Sequence, residues 1–179
     1  MNTEQSFDHY LDKCRAIFIK KNSDYGPSWR VLRPASLTDQ ILIKISRVRS
    51  IDEKGHQKVD DPLEGEFYGL INYSIMALIQ LLKGAELEDN MSLEELKKEY
   101  EEQVSATRQL MLNKNHDYGE VWRMMRPSSI IDIILMKVHR IKRIEENAGN
   151  TIISEGIDAN YQDIINYCVF ALILLEKTN

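Results

Sequence analysis

The chain has 179 residues, 43% of them hydrophobic and 28% charged, which places it with folded globular proteins and away from weakly hydrophobic, highly charged disordered chains. Its formal net charge of -5 argues against a generic polyanion-binding surface, because nonspecific nucleic-acid binding is driven by excess Lys and Arg. At this length it is either one domain or two small ones with limited cores.

The N-terminus opens on the polar run Met1 to Asp8 and carries no apolar export signal. A first helix is predicted from about Phe7 to Lys21, with Tyr10, Cys14, Ile17 and Phe18 at helical spacing. Gly26 supplies a turn after Asp24 and Tyr25. Arg33-Pro34 cannot continue a helix, and Ser36 follows as the expected N-cap of a second one carrying Leu37, Ile41, Ile45 and Val48. A third helix is expected at Asp61-Pro62-Leu63-Glu64, from an Asp cap and Pro at the first helical position. Gly84 and the stretch Glu86 to Asn90 close this unit.

The pattern then returns. Ser92 caps a helix expected from Leu93 to Asn113, Gly119 turns the chain, and Arg126-Pro127 with Ser129 opens a helix carrying Ile130, Ile134, Val138 and Ile141. The last helix begins near Ser154. The two most apolar runs, Leu70 to Leu82 and Ile164 to Leu175, fall short of the roughly 20 residues that span a bilayer, so they are predicted core helices and no membrane association is expected. No segment alternates with period two, and the fold class is all-α.

Sliding the chain against itself by about 93 residues superposes Lys21-Asn22 on Lys114-Asn115 and Asp24-Tyr25-Gly26 on Asp117-Tyr118-Gly119. Trp29-Arg30 falls on Trp122-Arg123, Arg33-Pro34 on Arg126-Pro127, Asp39 on Asp132, Lys44 on Lys137 and Arg47 on Arg140. After a one-residue slip, Asn72-Tyr73 falls on Asn166-Tyr167. Core positions drifted instead: Leu32 faces Met125 and Ile43 faces Met136, as packing tolerates when volume is kept. Three short helices leave too much apolar face exposed to stand alone. Residues 1–179 are therefore expected to form one domain of two tandem three-helix repeats, 1–86 and 92–179, packed as one pseudo-symmetric helical bundle.

The residues both copies kept are mostly polar, and each has two readings. Asp39 and Asp132 are either capping acids at a helix start or catalytic carboxylates holding Mg²⁺. Lys44 with Arg47, and Lys137 with Arg140, share a helix face and are either snorkelling surface cations or, with Arg30, Arg33, Arg123 and Arg126, ligands of a phosphate chain. Trp29 and Trp122, beside Tyr25 and Tyr118, either staple a loop to the core or stack on a nucleobase. Asp24 and Asp117 shape their turns or bind ligand. Asn72 and Asn166 stand in apolar runs, where a buried interhelical hydrogen bond is the first expectation and ligand contact the second. Glu66 aligns with Asn160 and Asp163 with Gly69, so each copy keeps one carboxylate of what would be a Glu-x-x-Asp pair, again a candidate catalytic or metal-binding group. The four histidines are unrelated between copies, and Cys14 and Cys168 form no metal or redox motif, which suits a reducing compartment, the cytoplasm by default.

This block resembles the nucleotide modification associated domain family, whose units carry a Lys-Asn-x-Asp-Tyr-Gly…Trp opening, a central Asp…Lys…Arg helix and a closing Asn-Tyr helix. Two such units cover nearly the whole chain. The resemblance implies a link to nucleotide metabolism or modification and no fixed reaction. More distantly, the arrangement is similar to MazG-like all-α nucleoside triphosphate pyrophosphatases, whose helices bind Mg²⁺ through Glu-x-x-Glu and Glu-x-x-Asp. This chain departs from that pattern: Lys44 and Arg47 stand where acids belong, and the third-helix pair is split between Glu66 and Asp163.

Three functions follow as expectations. The first is an enzyme of Mg²⁺-dependent hydrolysis or modification of a nucleotide or deoxynucleotide, with Asp39, Glu66, Asp132 and Asp163 placing the metal. The second is a module that binds or senses a nucleotide or other phosphate-bearing small molecule without turnover. The third is a helical scaffold. A homo-oligomer is compatible with each.

Overall fold

A computed structural model describes residues 2–88 and 90–176; Met1, Asp89 and residues 177–179, which fall in the expected repeat ends and linker, lie outside the described residues. The described residues form six α-helices and no strand: α1 (Thr3–Tyr25), α2 (Pro34–Lys54), α3 (Leu63–Lys83), α4 (Leu93–Tyr118), α5 (Pro127–Glu146) and α6 (Ile157–Glu176). A 3-10 turn follows the first helix of each repeat, Ser28–Val31 after α1 and Val121–Met124 after α4. The fold is thus all-α, built from two three-helix units.

Several boundaries differ from the sequence expectation for local reasons. The helix α1 starts at Thr3 because Asn2 and Gln5 form a reciprocal capping box, and it runs on to Tyr25. Asn22 and Ser23 sustain its last turns by bonding the carbonyls of Phe18 and Ile19. The Asp-Tyr of the repeated motif is therefore the last helical turn, ended by Gly26 at φ 69° and, in the second copy, Gly119 at φ 64°. Ser36 and Ser129 are not N-caps. Arg33 and Arg126 hold that position in extended conformation, with Pro34 and Pro127 opening the helices, and no side chain caps either one. Asp61 does not cap α3, which starts at Leu63 after Pro62 without a side-chain cap. Ser92 does cap α4, through a capping box with Glu95.

The helices stack as three layers of two. The central layer is α3 against α6; α2 and α5 pack together on one side, and α1 and α4 on the other. Burial on both faces explains why α3 and α6 carry the most apolar runs of the chain. No helix among the described residues is long and apolar enough to cross a membrane. One cluster of buried apolar side chains draws on all six helices, with Phe7, Ile45, Ile75, Leu96, Ile134 and Ile165 among its members. Both cysteines are buried and unpaired.

Reciprocal ion pairs mark the pseudo-twofold relation between the repeats. Across α2 and α5, Lys142 pairs with Asp39 and Arg49 with Asp132 at 3.3 Å. Across α1 and α4, Arg15 reaches Glu101 at 2.8 Å and Arg108 reaches Asp8 at 2.8 Å. In each case the repeat shift converts one pair into the other, the pattern of a self-complementary interface folded into one chain. One feature breaks the symmetry. Tyr161 is hydrogen-bonded to Thr38 at 2.5 Å, and Thr38 donates to Glu145 at 2.6 Å, whereas the equivalents Phe67 and Ile131 are apolar.

Candidate functional site

Each repeat has a cleft where the end of its first helix, the 3-10 turn, and its second and third helices meet. The first cleft, of about 580 Å³, takes Lys21, Asn22 and Tyr25 from α1, Trp29 from the turn, Lys44 from α2, and Asn72 and Tyr73 from α3. The second, of about 460 Å³, takes Lys114, Asn115, Tyr118, Trp122, Lys137, Asn166 and Tyr167 from the same positions of its own repeat. The helical spacing of Lys21, Asn22 and Tyr25 puts them on one face of the final turns of α1, and α4 repeats this. Much of what the two copies kept thus converges on equivalent concave sites.

The tryptophans form inner walls. Trp29 and Trp122 are 6% and 5% exposed, and Trp122 stacks on Phe170 at 4.2 Å with an interplanar angle of 5°. That face is already occupied, as the loop-staple reading requires. The aromatic faces open at the rims belong to Tyr25 and Tyr118, 58% and 75% exposed, with the half-buried Tyr73 and Tyr167 beside the kept asparagines. Partial burial first, then Tyr73 and Asp24 nearby, push the Tyr25 phenol above its ordinary value.

Of the cations kept in both copies, the structure brings Lys44 and Lys137 to the clefts and sends the arginines elsewhere. Arg30 is fully buried and donates to Gln80, to the Gly84 carbonyl at 3.0 Å and to Glu86 at 2.7 Å; Gln80 returns a bond to the Arg30 carbonyl at 2.8 Å. This network clamps the 3-10 turn to the end of α3. Arg123 lies over the Trp122 ring at 4.5 Å and bonds Glu120 and Thr3. Arg33 and Arg126 are exposed at the starts of α2 and α5. Arg47 pairs with Glu66, while Arg140, whose matching acid is replaced by Asn160, is exposed in a shallower recess with Arg143. Asp24 and Asp117 are exposed on the last helical turns outside the cleft linings.

The four carboxylates expected to place a metal do not gather. Asp39 and Asp132 are 58% and 60% exposed by side chain at the α2–α5 seam, in the ion pairs described above. Glu66 is held by Lys44 at 3.2 Å and by Arg47. Asp163 is held by Lys114 at 2.5 Å and Lys137 at 2.6 Å. Among the described residues, no three His, Cys, Asp or Glu side chains come together as a metal ion would need. A carboxylate already neutralised by two cations is a poor member of the clustered oxygen set that Mg²⁺ takes, so these residues do not fit that ion.

The acids nevertheless set the electrostatics of the two clefts apart. In the second repeat Asp163 stands in the wall, and Glu155 lines it too, against Lys114 and Lys137. Burial alone would lower Lys114, but the Asp163 bond and charge raise it above its ordinary value. In the first repeat the Asp163 position is Gly69, over which Lys44 lies so closely that a Cβ would sit 2.6 Å from its Cε. Among the described residues no carboxylate lines that cleft, which presents Lys21 and the Glu66-paired Lys44.

The kept asparagines differ as well. Tyr100 of the other repeat donates to the Asn72 side-chain oxygen Oδ1 at 2.9 Å, and the Asn72 Nδ2 donates to the Cys14 backbone carbonyl at 3.0 Å, the expected interhelical bond. Asn166 is 4% exposed, and neither polar atom of its side chain has a hydrogen-bond partner among the described residues.

Lys21 and Lys114, Asn22 and Asn115, and Tyr73 and Tyr167 also line the clefts but were not among the candidates read from the sequence. Their signal was present, since all three pairs are identical under the same shift.

Fold and clefts together define a duplicated all-α protein with an equivalent cleft in each repeat. The chain belongs to the nucleotide modification associated domain 1 family, whose model matches residues 21–81 and 114–175, one copy in each repeat. No curated protein and no solved structure matches the chain.

Proposed function

We propose that the protein binds a nucleotide, or a closely similar phosphate-bearing small molecule, in these clefts. The observation that supports this reading is the convergence on each cleft of lysines, asparagines and tyrosines identical in both copies. Lysines suit phosphate, tyrosine faces suit a planar base, and asparagine amides suit its hydrogen-bonding edge. A scaffold gives no reason to keep polar side chains around a hollow. The first cleft, whose Lys21 is exposed and whose Lys44 shares the single charge of Glu66 with Arg47, is the one that takes phosphate. The reading assumes the cytoplasm, where two buried free thiols remain reduced.

Binding without turnover is the form we propose, because the carboxylates a Mg²⁺-dependent hydrolase would use are dispersed among lysines and arginines. Calorimetric titration with nucleoside mono-, di- and triphosphates tests it. Binding weakened about tenfold by Lys44→Ala is expected, the effect of removing one charge-assisted contact. No heat and no thermal shift with any nucleotide would sink the reading. Mg²⁺-dependent release of phosphate or pyrophosphate would replace the binding module with an enzyme.

A further inference from the structure

Buried polar atoms without partners are uncommon in folded proteins, and three, on two residues, sit in the second cleft. Among the described residues, both polar atoms of the Asn166 side chain are unpaired at 4% residue exposure, and so is the indole N–H of Trp122 at 5%. Both residues line that cleft. In the first repeat the corresponding groups are satisfied: Trp29 donates to Asn22 at 3.0 Å, and Asn72 is held by Tyr100 and Cys14.

The sequence accounts for the unpaired Asn166 oxygen and the Trp122 N–H. The repeat shift carries Tyr100 onto Phe7, which has no hydroxyl to donate to Asn166. Asn115, the counterpart of Asn22, turns its amide to the Met111 sulfur at 3.1 Å and leaves the Trp122 N–H unpaired. The second repeat thus leaves open an adjacent donor and acceptor plus a further donor, all desolvated, while its lysines face Asp163 and Glu155 inside the same wall.

We infer that the two clefts have diverged, and that the second reads a nucleobase edge, with Asn166 as the specificity-determining residue. This rests on the nucleotide reading above. A side-chain amide matches a base presenting neighbouring acceptor and donor groups, as asparagine matches adenine in nucleic-acid recognition. The apolar and aromatic walls from Phe170 and Tyr167 suit an uncharged planar ring, and the balanced charge around Asp163 gives no preference for phosphate. Unpaired buried groups also make the site selective, because a ligand that cannot bond them leaves their desolvation uncompensated.

The test is calorimetric titration of the full chain with the nucleoside 5′-monophosphates of the common bases and with ribose 5-phosphate, together with melting temperatures. The wild type is expected to prefer its best base over its worst by about tenfold or more, the discrimination of one bidentate contact. Asn166→Leu is expected to flatten that ratio to about twofold or less while keeping or raising the melting temperature, since it removes an unsatisfied group. Asn166→Asp, which replaces the donor with a second acceptor, is expected to shift preference toward guanine, whose edge offers two donors. An unchanged base ratio in both variants would overturn the inference alone, as would ribose 5-phosphate binding as tightly as the nucleotides. A fall of about 5 °C or more in Asn166→Leu would also overturn it, by showing that the fold itself holds the amide. If no monophosphate binds the wild type, the nucleotide reading falls and takes this inference with it.

Discussion

The two halves of the molecule kept the same cleft residues and surrounded them differently. In the first repeat the polar groups behind the cleft are consumed by the fold: Asn72 by Tyr100 and Cys14, Trp29 by Asn22, Arg30 by Gln80, Gly84 and Glu86. In the second, Asn166 and the Trp122 indole N–H have no hydrogen-bond partner among the described residues, and Arg123 lies over Trp122 and bonds Glu120 and Thr3. The lesson is that identity between copies singles out the cleft walls only in part, whereas the partners of each kept residue determine which polar groups that cleft leaves open.

The largest expected effect breaks the comparison at its arginines. Arg30→Met strands buried acceptors and should cost about 3 kcal/mol in urea unfolding, as loss of one partner from a buried charged network does. Arg123→Met, at a partly exposed position, should cost about 1 kcal/mol or less. Equal losses would show that the two turns are anchored alike.

Next come the asparagines. Asn72→Leu leaves the buried Tyr100 hydroxyl without its acceptor and should lower stability by about 2 kcal/mol, against no loss for the matching change at Asn166. A loss shared by both would erase the distinction between the clefts.

A third test uses the polar side of the seam. Glu145 has its carboxyl pushed above the ordinary glutamate value, first by burial and further by Asp39, with the Thr38 bond and Lys142 opposing. A raised carboxyl in the folded state gives stability that is full below the unfolded pKa and is lost as pH rises through the folded one. Glu145→Gln, which keeps an acceptor for Thr38, should therefore match or exceed the wild type at neutral pH. That advantage should disappear below about pH 4, under the ordinary glutamate value. Urea unfolding across this range checks it, and an advantage that grows toward low pH would contradict the sign.

The smallest effects belong to the reciprocal surface pairs. Asp39→Ala and Asp132→Ala should each cost about 0–1 kcal/mol, shrinking as salt is raised. Because Lys142 and Arg49 are related by the repeat, the two losses should be similar.

Much of this architecture was legible from periodicity and self-similarity. The two three-helix units, the Ser92 cap and the buried character of the Asn-Tyr helices followed from spacing alone. Helix starts were read less well where proline was involved, because Pro34 and Pro127 fix an extended residue before them and displace the cap from Ser36 and Ser129. The candidate site was legible in part. Repetition singled out Lys44, Lys137, Asn72 and Asn166, but residue type cannot tell a cation facing a cleft from one, like Arg30, folded onto a backbone carbonyl. Nor could spacing reveal that Asp39 and Asp132 face the other repeat, since that depends on how α2 and α5 pack. The unpaired oxygen of Asn166 rests on Phe7, far away in sequence and recognisable only once the shift has been applied.

The most direct test of the account uses the two tryptophans as separate reporters, one in the wall of each cleft. In Trp29→Phe only Trp122 emits, and its fluorescence should respond to nucleotides with a strength that depends on the base. In Trp122→Phe only Trp29 emits, and its response should follow the number of phosphates whichever base is attached. Two folded single-tryptophan proteins in which no nucleotide perturbs either emission would contradict the claim that the repeated residues build ligand sites.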